Sequence, residues 1–404
     1  MLGPRLFFVD RDVYRRFLLL VPLVFVALFF FYPLVSILWL SFSGETWFLL
    51  GPFWALLGDF YYLGRIWFTT WQAMVSTVIS IALGMPVAYL FSRYEFRGKM
   101  FLIALTTLPF VMPTIVVAMG FVALFGPQGI VNSIAMDFFN LTDPPVKFSN
   151  TLTIIFMAHA FYNYAIVVRI VSGMWSNLDT HLGDTARVLG AGRIRTFRHV
   201  TLPLLMPAIF SSGLMAFAFS FTSFGVVLIL GGPQFATLEV SIYELTAKIF
   251  NLPLAGALSV VQLIFTFAFF FLYAKLQVSN GGQIDFKPRE TTFRKRWSLS
   301  DKCFLAFMML YLLIVLSPLF ALVVRMILSV DSYMSVDVFN LFANARGSYF
   351  YLSPIAIIWN SLRFALLTVA ISLVVGTIVA YYLSRSRRIS GSISDAVFMF
   401  PLGV

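Results

Sequence analysis

The sequence predicts an all-helical protein that crosses the lipid bilayer many times. Of its 404 residues, 60% are hydrophobic and only 11% are charged, and the mean hydropathy is +0.91. A soluble domain needs far fewer apolar residues to fill its core. The apolar residues also form long runs without the alternation of barrel strands, and about 20 residues suffice for a helix to cross the bilayer. We therefore expect a polytopic helical bundle.

Nine apolar runs are candidates for membrane helices. Their approximate bounds are 17–42, 67–91, 100–126, 150–168, 203–230, 256–274, 303–324 and 364–384, and a ninth run begins near 393. The first run is too long for a signal-peptide core and lacks a small-residue cleavage site, so we expect it to be a retained helix.

Positive charges in the loops predict the orientation. If successive runs cross the membrane in alternating directions, 22 of the 28 Lys and Arg residues lie on the side that holds the N-terminus. Because Lys and Arg accumulate in cytoplasmic loops, the N-terminus is expected in the cytoplasm. The net charge of +11 then reflects membrane topology, so we expect the lipid bilayer and no nucleic acid as a partner.

A segment of the first half recurs near the end of the chain. SIALGMPVAYLFSRYEFRGK (80–99) and SLVVGTIVAYYLSRSRRISG (372–391) align without gaps, which pairs Gly84 with Gly376. The repeat predicts two tandem parallel copies. The expected divisions are a first half of six membrane helices (1–275), a basic cytoplasmic linker (276–302) and the start of a second half (303–404). Because the sequence ends inside the ninth run, we expect the second copy to be truncated.

A polar stretch interrupts the apolar runs. Residues 175–203 read WSNLDTHLGDTARVLGAGRIRTFRHVTLP and fall on the predicted cytoplasmic side. Four apolar residues recur at helical spacing: Leu178, Leu182, Ala186 and Leu189. The glycines at 190 and 192 predict a turn after this helix, and Leu202-Pro203 predicts the start of the next membrane helix. The stretch is thus expected to form a short helix across the cytoplasmic face.

The same stretch resembles the cytoplasmic loop motif of bacterial ABC importer permeases: Glu-Ala-Ala, three residues, Gly, nine residues, Ile, any residue, Leu-Pro. The matching residues keep the family's spacing, and they are Asp184, Thr185, Ala186, Gly190, Val200, Leu202 and Pro203. Asp, Thr and Val replace the family's Glu, first Ala and Ile. The resemblance implies a coupling helix that contacts an ATPase subunit. The alternative is an interfacial loop whose arginines meet anionic lipids.

The resemblance extends to the double-length, fused permeases of the thiamine and ferric-iron importers. It is carried by AHAFYN (158–163) and TSFGVVLILGGPQFATLEVSIYEL (222–245), although Tyr164-Ala165 stands where those permeases tend to have Leu-Pro. It implies a type I ABC importer transmembrane domain in the bacterial inner membrane. The implied partners are a dimer of ABC ATPase subunits and a periplasmic substrate-binding protein. Thiamine is the first expected substrate and ferric iron the alternative.

Two further groups of polar residues are candidates for functional contacts. His159 and Asn163 lie four apart near the middle of the fourth run, where they either line a translocation path or form an interhelical hydrogen bond. The predicted external loop 231–255 places Glu239, Glu244 and Lys248 in a short helix, which either touches the binding protein or is simply solvated.

The residues indicate no enzyme site. No GxxxxGK[ST] phosphate loop occurs, so ATP and Mg²⁺ are expected on a separate ATPase subunit and not as cofactors of this chain. The three histidines and Cys303 are dispersed in the sequence, which indicates no metal site. The rival class is an ion-coupled secondary transporter, which usually carries carboxylates within the membrane; the central runs here hold none.

Overall fold

The computed structural model describes residues 22–42, 51–280, 299–333 and 353–385, which are almost entirely helical. The helices are α1 (Tyr32–Phe42), α2 (Gly51–Gly58), α3 (Phe60–Arg93), α4 (Lys99–Val111), α5 (Thr114–Phe125), α6 (Ile130–Phe139), α7 (Leu152–Asn177), α8 (Thr180–Val188), α9 (Arg193–Thr196), α10 (Leu202–Phe221), α11 (Gly225–Leu230), α12 (Leu238–Ala247), α13 (Leu252–Asn280), α14 (Leu299–Val315), α15 (Ser317–Tyr333) and α16 (Pro354–Arg385). Two π-helical turns span Ala27–Phe31 and Phe197–Thr201, and a 3₁₀ turn spans Pro233–Phe235.

The described residues confirm the prediction of an all-helical polytopic protein. Seven helical segments are long and apolar enough to cross a membrane, or eight if the bent pair α14–α15 is one span. The seven are Pro22–Trp39, Phe60–Arg93, Thr114–Phe139, Leu152–Asn177, Arg193–Phe221, Leu252–Phe269 and Pro354–Tyr381. The predicted ninth run lies outside the described residues.

The predicted third span, 100–126, is not one continuous helix. α4 ends at Val111, and Met112 and Pro113 are extended before α5 begins. Proline lacks an N–H and disfavours a helical conformation in the residue before it, so Met112-Pro113 breaks the run. The hydroxyl of Tyr162 on α7 lies 3.4 Å from the carbonyl oxygen of Met112 and hydrogen-bonds to it. This bond satisfies a backbone group that the break releases.

The predicted span 203–230 is also broken. α10 ends at Phe221 and α11 begins at Gly225. A Cβ at Gly225 would lie 2.4 Å from the hydroxyl oxygen of Thr114, so the start of α11 packs directly on the start of α5. The break before α5 and the break before α11 therefore lie next to each other in the structure. Thr237 donates a hydrogen bond of 3.4 Å to the carbonyl of Ser223 inside the second break.

The predicted span 303–324 bends by 58° where α14 meets α15. Pro318 lies in the first turn of α15, where its missing N–H is tolerated, and it prevents a straight continuation of α14. The crossing with α5 is close, because a Cβ at Gly120 would lie 2.7 Å from the carbonyl oxygen of Pro318.

Helices α3, α7 and α10 form the centre of the bundle, and each packs on the other two. Helices α3 and α7 approach each other closely at Gly84, where a Cβ would lie 2.7 Å from Cβ of Val167 and 3.1 Å from the carbonyl oxygen of Tyr164. Tyr164 itself is fully buried. It therefore serves as a packing residue at the position where the related permeases tend to have Leu-Pro.

The structure divides into two compact units, Gly44–Arg325 and Met1–Ser43 with Met326–Val404. Within the second unit, the described part of α16 runs from Pro354 to Arg385, and the predicted repeat pairs Arg385 with Arg93 in α3. The repeat itself stays a prediction. The boundaries 1–275, 276–302 and 303–404 stay predictions, since residues 281–298 lie outside the described part of the chain.

Candidate functional site

The polar stretch begins as a short, capped helix. The carboxylate of Asp179 accepts a hydrogen bond of 2.9 Å from the backbone N–H of His181, which satisfies one free donor at the start of α8. The hydroxyl of Thr185 bonds back to the carbonyl of His181 at 2.8 Å. Asp184 forms an exposed ion pair with Arg187, with 3.6 Å between Oδ1 and Nη1. The predicted short helix is therefore present.

A glycine turn ends α8. Gly190 has φ +87°, in the left-handed region. Its N–H donates to the carbonyl of Arg187 at 2.9 Å, and the N–H of Ala191 donates to the carbonyl of Ala186 at 3.0 Å. This pair of bonds is a Schellman motif, which explains why the permease motif needs glycine at 190.

Leu178 is not part of the short helix, although its spacing predicted that it would be. It is the residue after α7 and packs against the buried group that includes Trp175 and Leu205. The extended backbone at Leu178 and the Asp179 cap separate α7 from α8. Leu182 and Leu189 remain on the loop, with 48% and 82% of their surface exposed. The apolar side chains of this segment are therefore largely exposed.

The helix after the glycine turn does not begin at Leu202-Pro203 as predicted. It begins at Arg193 and continues without interruption to Phe221. A π turn accommodates the proline: the N–H of Leu202 bonds to the carbonyl of Phe197, five residues back. We call this continuous segment, Arg193–Phe221, the rod. Its 29 residues give about 43 Å at about 1.5 Å per residue, so it is longer than the roughly 30 Å hydrocarbon layer.

A cavity of about 300 Å³ opens between α8 and the start of the rod. The residues that line it are Ala186, Leu189, Ala191, Arg195, Thr196, His199 and Val200. The motif residues Ala186 and Val200 therefore lie together, and alanines at 186 and 191 leave the space open. The two pieces are in contact near Gly183, where a Cβ would lie at an ordinary van der Waals distance of 3.8 Å from Cγ2 of Thr196.

His159 and Asn163 lie on α7 and are buried, with 2% and 3% of their surface exposed. Nδ1 of His159 and the hydroxyl of Ser76 on α3 are 3.1 Å apart and form a hydrogen bond. The side-chain amide of Asn163 donates to the hydroxyl of Ser220 on α10 at 2.8 Å. Gln72 on α3 donates to the carbonyl of Ser220 at 2.9 Å. We call these five residues the polar cluster.

The polar cluster ties α3, α7 and α10 together, as the interhelical alternative for His159 and Asn163 predicted. Sequence reasoning missed Gln72, Ser76 and Ser220. Gln72 and Ser76 are four residues apart on one helix face, like His159 and Asn163, and this matching spacing was the available signal. Ser220 carried no such signal.

The predicted external loop contains the expected short helix, α12. Glu239 and Glu244 lie on α12, and Lys248 is the residue directly after it, within an ion pair of 3.2 Å to Glu244. Glu239 is not a solvated loop residue. It accepts a hydrogen bond from the side-chain amide of Gln262 on α13. Burial raises the pKa of Glu239 above its ordinary value, and the bond from Gln262 opposes that rise.

Arg65 fixes the beginning of the same loop. Its guanidinium donates to the carbonyls of Gln234 and Ala236 at 3.1 and 3.2 Å and stacks over the ring of Tyr61 at 4.7 Å. The hydroxyl of Thr69 accepts the N–H of Leu238 at 3.0 Å, in the first turn of α12. The loop is therefore held against the start of α3.

The fold is that of type I ABC importer permeases. It is similar to the crystal structure of a bacterial ABC transporter involved in the import of the acidic polysaccharide alginate, with a TM-score of 0.56 and 17% identity, over 67% of this chain and 96% of that one. A crystal structure of the bacterial alginate ABC transporter in complex with alginate pentasaccharide-bound periplasmic protein gives a TM-score of 0.53 and 18% identity, over 67% and 95% of the two chains. At such identities the likeness concerns the fold alone.

Residues 80–279 match the family model described as "Binding-protein-dependent transport system inner membrane component". The matched region, about half of the chain, includes the short helix, the glycine turn and the rod. The spanning helices are those of a multi-pass membrane protein, and the matched family model describes an inner membrane component. The cytoplasmic position of the N-terminus stays a prediction.

The chain is similar to permeases that are named for two different substrates, sulfate and thiamine. The chain is 28% identical to the sulfate transport system permease protein CysT of Salmonella typhimurium strain LT2, over 65% of this chain and 92% of that protein. It is 30% identical to the thiamine transport system permease protein ThiP of Haemophilus influenzae, over 55% of this chain. The match spans 41% of that thiamine permease, so the fused, double-length organisation stays a prediction.

Proposed function

We propose that the chain is the membrane-spanning permease subunit of an ATP-driven importer of a small solute. One observation supports this function above the others: the permease motif residues form a capped helix, a glycine turn and a rod that continues into the membrane. A protein that binds the short helix and moves it would displace the whole rod, because the rod is one continuous helix. The alternative, a loop lying on lipid, gives no reason for that continuity.

In this mechanism, a pair of ATPase subunits closes on the loop when it binds ATP and Mg²⁺. The Schellman turn at Gly190 holds the angle between α8 and the rod, and the cavity between them takes a side chain of the partner. The rod then shifts against α3 and α7, to which the polar cluster links its far end. Displacement of packed helices in this way opens the translocation path alternately to the two sides of the membrane.

We further propose that a periplasmic binding protein delivers the solute. The alginate transporter structure that is similar in fold contains such a protein. The loop held by Arg65, with α12 after it, is our candidate contact surface, and His159 and Asn163 are candidate path residues. Their hydrogen bonds with Ser76 and Ser220 would have to exchange as the helices move.

Thiamine is our first candidate substrate, supported by the 30% identity to the thiamine permease. Sulfate is the second, because the match to the sulfate permease covers 92% of that protein. The two differ in charge and shape, since thiamine is an aromatic cation and sulfate a small dianion. Ferric iron stays a prediction from the sequence resemblance, without support from these relatives.

The test is substrate-stimulated ATP hydrolysis. The full chain would be reconstituted in lipid with its co-purifying ATPase, and the binding protein would be added empty, with thiamine or with sulfate. We expect thiamine to raise the hydrolysis rate severalfold over the empty binding protein. Stimulation by sulfate alone would make sulfate the substrate in place of thiamine and would leave the proposed permease function intact. Absence of any associated ATPase would overturn the proposed function.

A further inference from the structure

Glu239, in the first turn of α12, is a partly buried carboxyl group without a cationic partner. It forms no ion pair within the part of the chain that the structure describes. Its polar contact is the side-chain amide of Gln262 on α13. Leu258 and Ala255, one and two turns before Gln262 on the same face of α13, are almost completely buried. A carboxylate among such apolar groups loses hydration that a single amide N–H does not replace.

Two polar atoms near this contact have no hydrogen-bond partner among the described residues. When the amide nitrogen of Gln262 donates to Glu239, the amide oxygen Oε1 of Gln262 is left buried without a donor. The hydroxyl of Thr266, one turn further along α13, is also buried and unpartnered. Thr69 and Thr77 on α3 each donate to the carbonyl four residues back, but Thr266 makes no such bond. Buried polar groups without partners are costly, so these atoms indicate a missing proton.

We infer that Glu239, Gln262 and Thr266 form a proton-binding site between α12 and α13. With a proton on Glu239, its O–H donates to the amide oxygen of Gln262 after the amide group turns over. The amide nitrogen then donates to the hydroxyl of Thr266, one turn further on the same face. The hydroxyl donates in turn to the carbonyl of Gln262, four residues back. The neutral carboxyl thus gives both unpartnered atoms a partner and removes the buried charge.

The neighbouring ionisable groups do not supply a positive charge in place of the proton. α12 packs on α13 and α3, and residues 252–272 of α13 include no ionisable side chain. On α3, the guanidinium of Arg65 is held by carbonyls of the loop before α12. On the other side of α12, the nearest group along α7 is His159, which hydrogen-bonds to Ser76. Lys248 pairs with Glu244. The remaining ionisable groups near Glu239 on these helices cannot become cations, and they are Tyr61, Tyr62 and Tyr243.

The proton-binding site holds the first turn of α12 against a membrane helix. Thr69 already holds this turn on α3, by accepting the N–H of Leu238 at 3.0 Å. Glu239 adds a polar link to Gln262, which lies within the span Leu252–Phe269. Burial raises the pKa of Glu239, which agrees with proton binding in the folded protein. The site shares no residue with the polar cluster, and the inference does not depend on the proposed transport function.

The experiment follows the carboxyl groups of the full chain in liposomes by infrared spectroscopy as the pH is lowered from about 8 to about 4. We expect a C=O stretching band of a neutral carboxyl that is present in the wild type and missing in Glu239→Gln. Its titration midpoint should lie about one pH unit or more above 4.3, roughly the ordinary value for Glu. Glu244→Gln is the matched control on the same helix and should leave the band unchanged.

Two further variants test the other members of the site. Gln262→Leu removes the acceptor of the carboxyl O–H and should raise the stretching frequency of the band. Thr266→Val keeps the shape of the side chain but removes the hydroxyl, so it should lower the titration midpoint. An equal midpoint in the wild type and in Thr266→Val would overturn the three-residue arrangement.

The inference has two other ways to fail. A midpoint near 4.3, roughly the ordinary value for Glu, would show a hydrated carboxylate and overturn the site. A carboxylate band that responds to Na⁺ or K⁺ at constant pH would assign the site to a metal cation and overturn the proton. Neither result changes the proposed function, which the ATPase experiment tests separately.

Discussion

Asn163 on α7 donates a hydrogen bond of 2.8 Å to the hydroxyl of Ser220, in the last turn of the rod. The carbonyl of the same serine accepts the side-chain amide of Gln72 on α3. Ser220 thus joins the far end of the rod to both central helices. The near end of the rod lines the cavity beside the short helix. One helix therefore connects the loop with the polar cluster.

The first prediction concerns this link. Asn163→Ala should lower the stability of the protein in detergent by about 1 kcal/mol, since interhelical hydrogen bonds in membranes contribute about 0.6 to 1.7 kcal/mol. A double-mutant cycle with Ser220→Ala checks it, because both substitutions remove the same bond and their effects should not add. Additive effects would contradict the bond. Unchanged solute uptake by a well-assembled Asn163→Ala variant would exclude Asn163 from the translocation path.

The second prediction tests the close contact between α3 and α7. Gly84→Ala should destabilise the protein by about 1–3 kcal/mol, because the new methyl group would lie 2.7 Å from Cβ of Val167 and the helices would have to separate. Gly64→Ala is the control on the same helix, where no atom lies within 4 Å. It should leave the thermal unfolding midpoint unchanged or raise it. Equal effects of the two substitutions would refute the contact.

The third prediction tests the glycine turn. Gly190→Ala forces an L-residue into a left-handed conformation, which costs about 1–2 kcal/mol, and should change the angle between α8 and the rod. We expect less solute transported for each ATP hydrolysed, with the membrane helices still folded. Gly192→Ala is the control, because Gly192 has φ −65° and open space around it. A normal transport ratio for Gly190→Ala would show that the turn does not set the coupling.

The fourth prediction follows from the raised pKa of Glu239. Because the proton binds more tightly to the folded protein than to the unfolded one, the carboxylate destabilises the fold at any pH above its folded pKa. Glu239→Gln should therefore raise the unfolding midpoint at neutral pH. The difference from wild type should shrink as the pH falls through the folded pKa towards about 4, the ordinary value for Glu. A difference independent of pH would contradict this origin.

Much of the fold follows from sequence because long apolar runs allow only helices in lipid. The breaks within two of the predicted spans were harder to predict. Pro113 indicates the first break in the sequence itself, but the break after Phe221 depends on contacts between helices, such as that of Thr114 with Gly225. The loop motif predicted the short helix and its glycine. It misplaced the start of the rod, because a π turn admits Pro203 inside a continuous helix. Ser220 could not be identified, since one sequence does not reveal which helices pair.

The most direct test of the central claim is solute accumulation by the full chain in proteoliposomes with its ATPase and the loaded binding protein. Labelled thiamine should accumulate only when ATP is present on the ATPase side, and the non-hydrolysable analogue should not replace ATP. Sulfate should be run in parallel as the second candidate. Accumulation driven by an ion gradient without ATP would contradict the account and make the chain a secondary transporter.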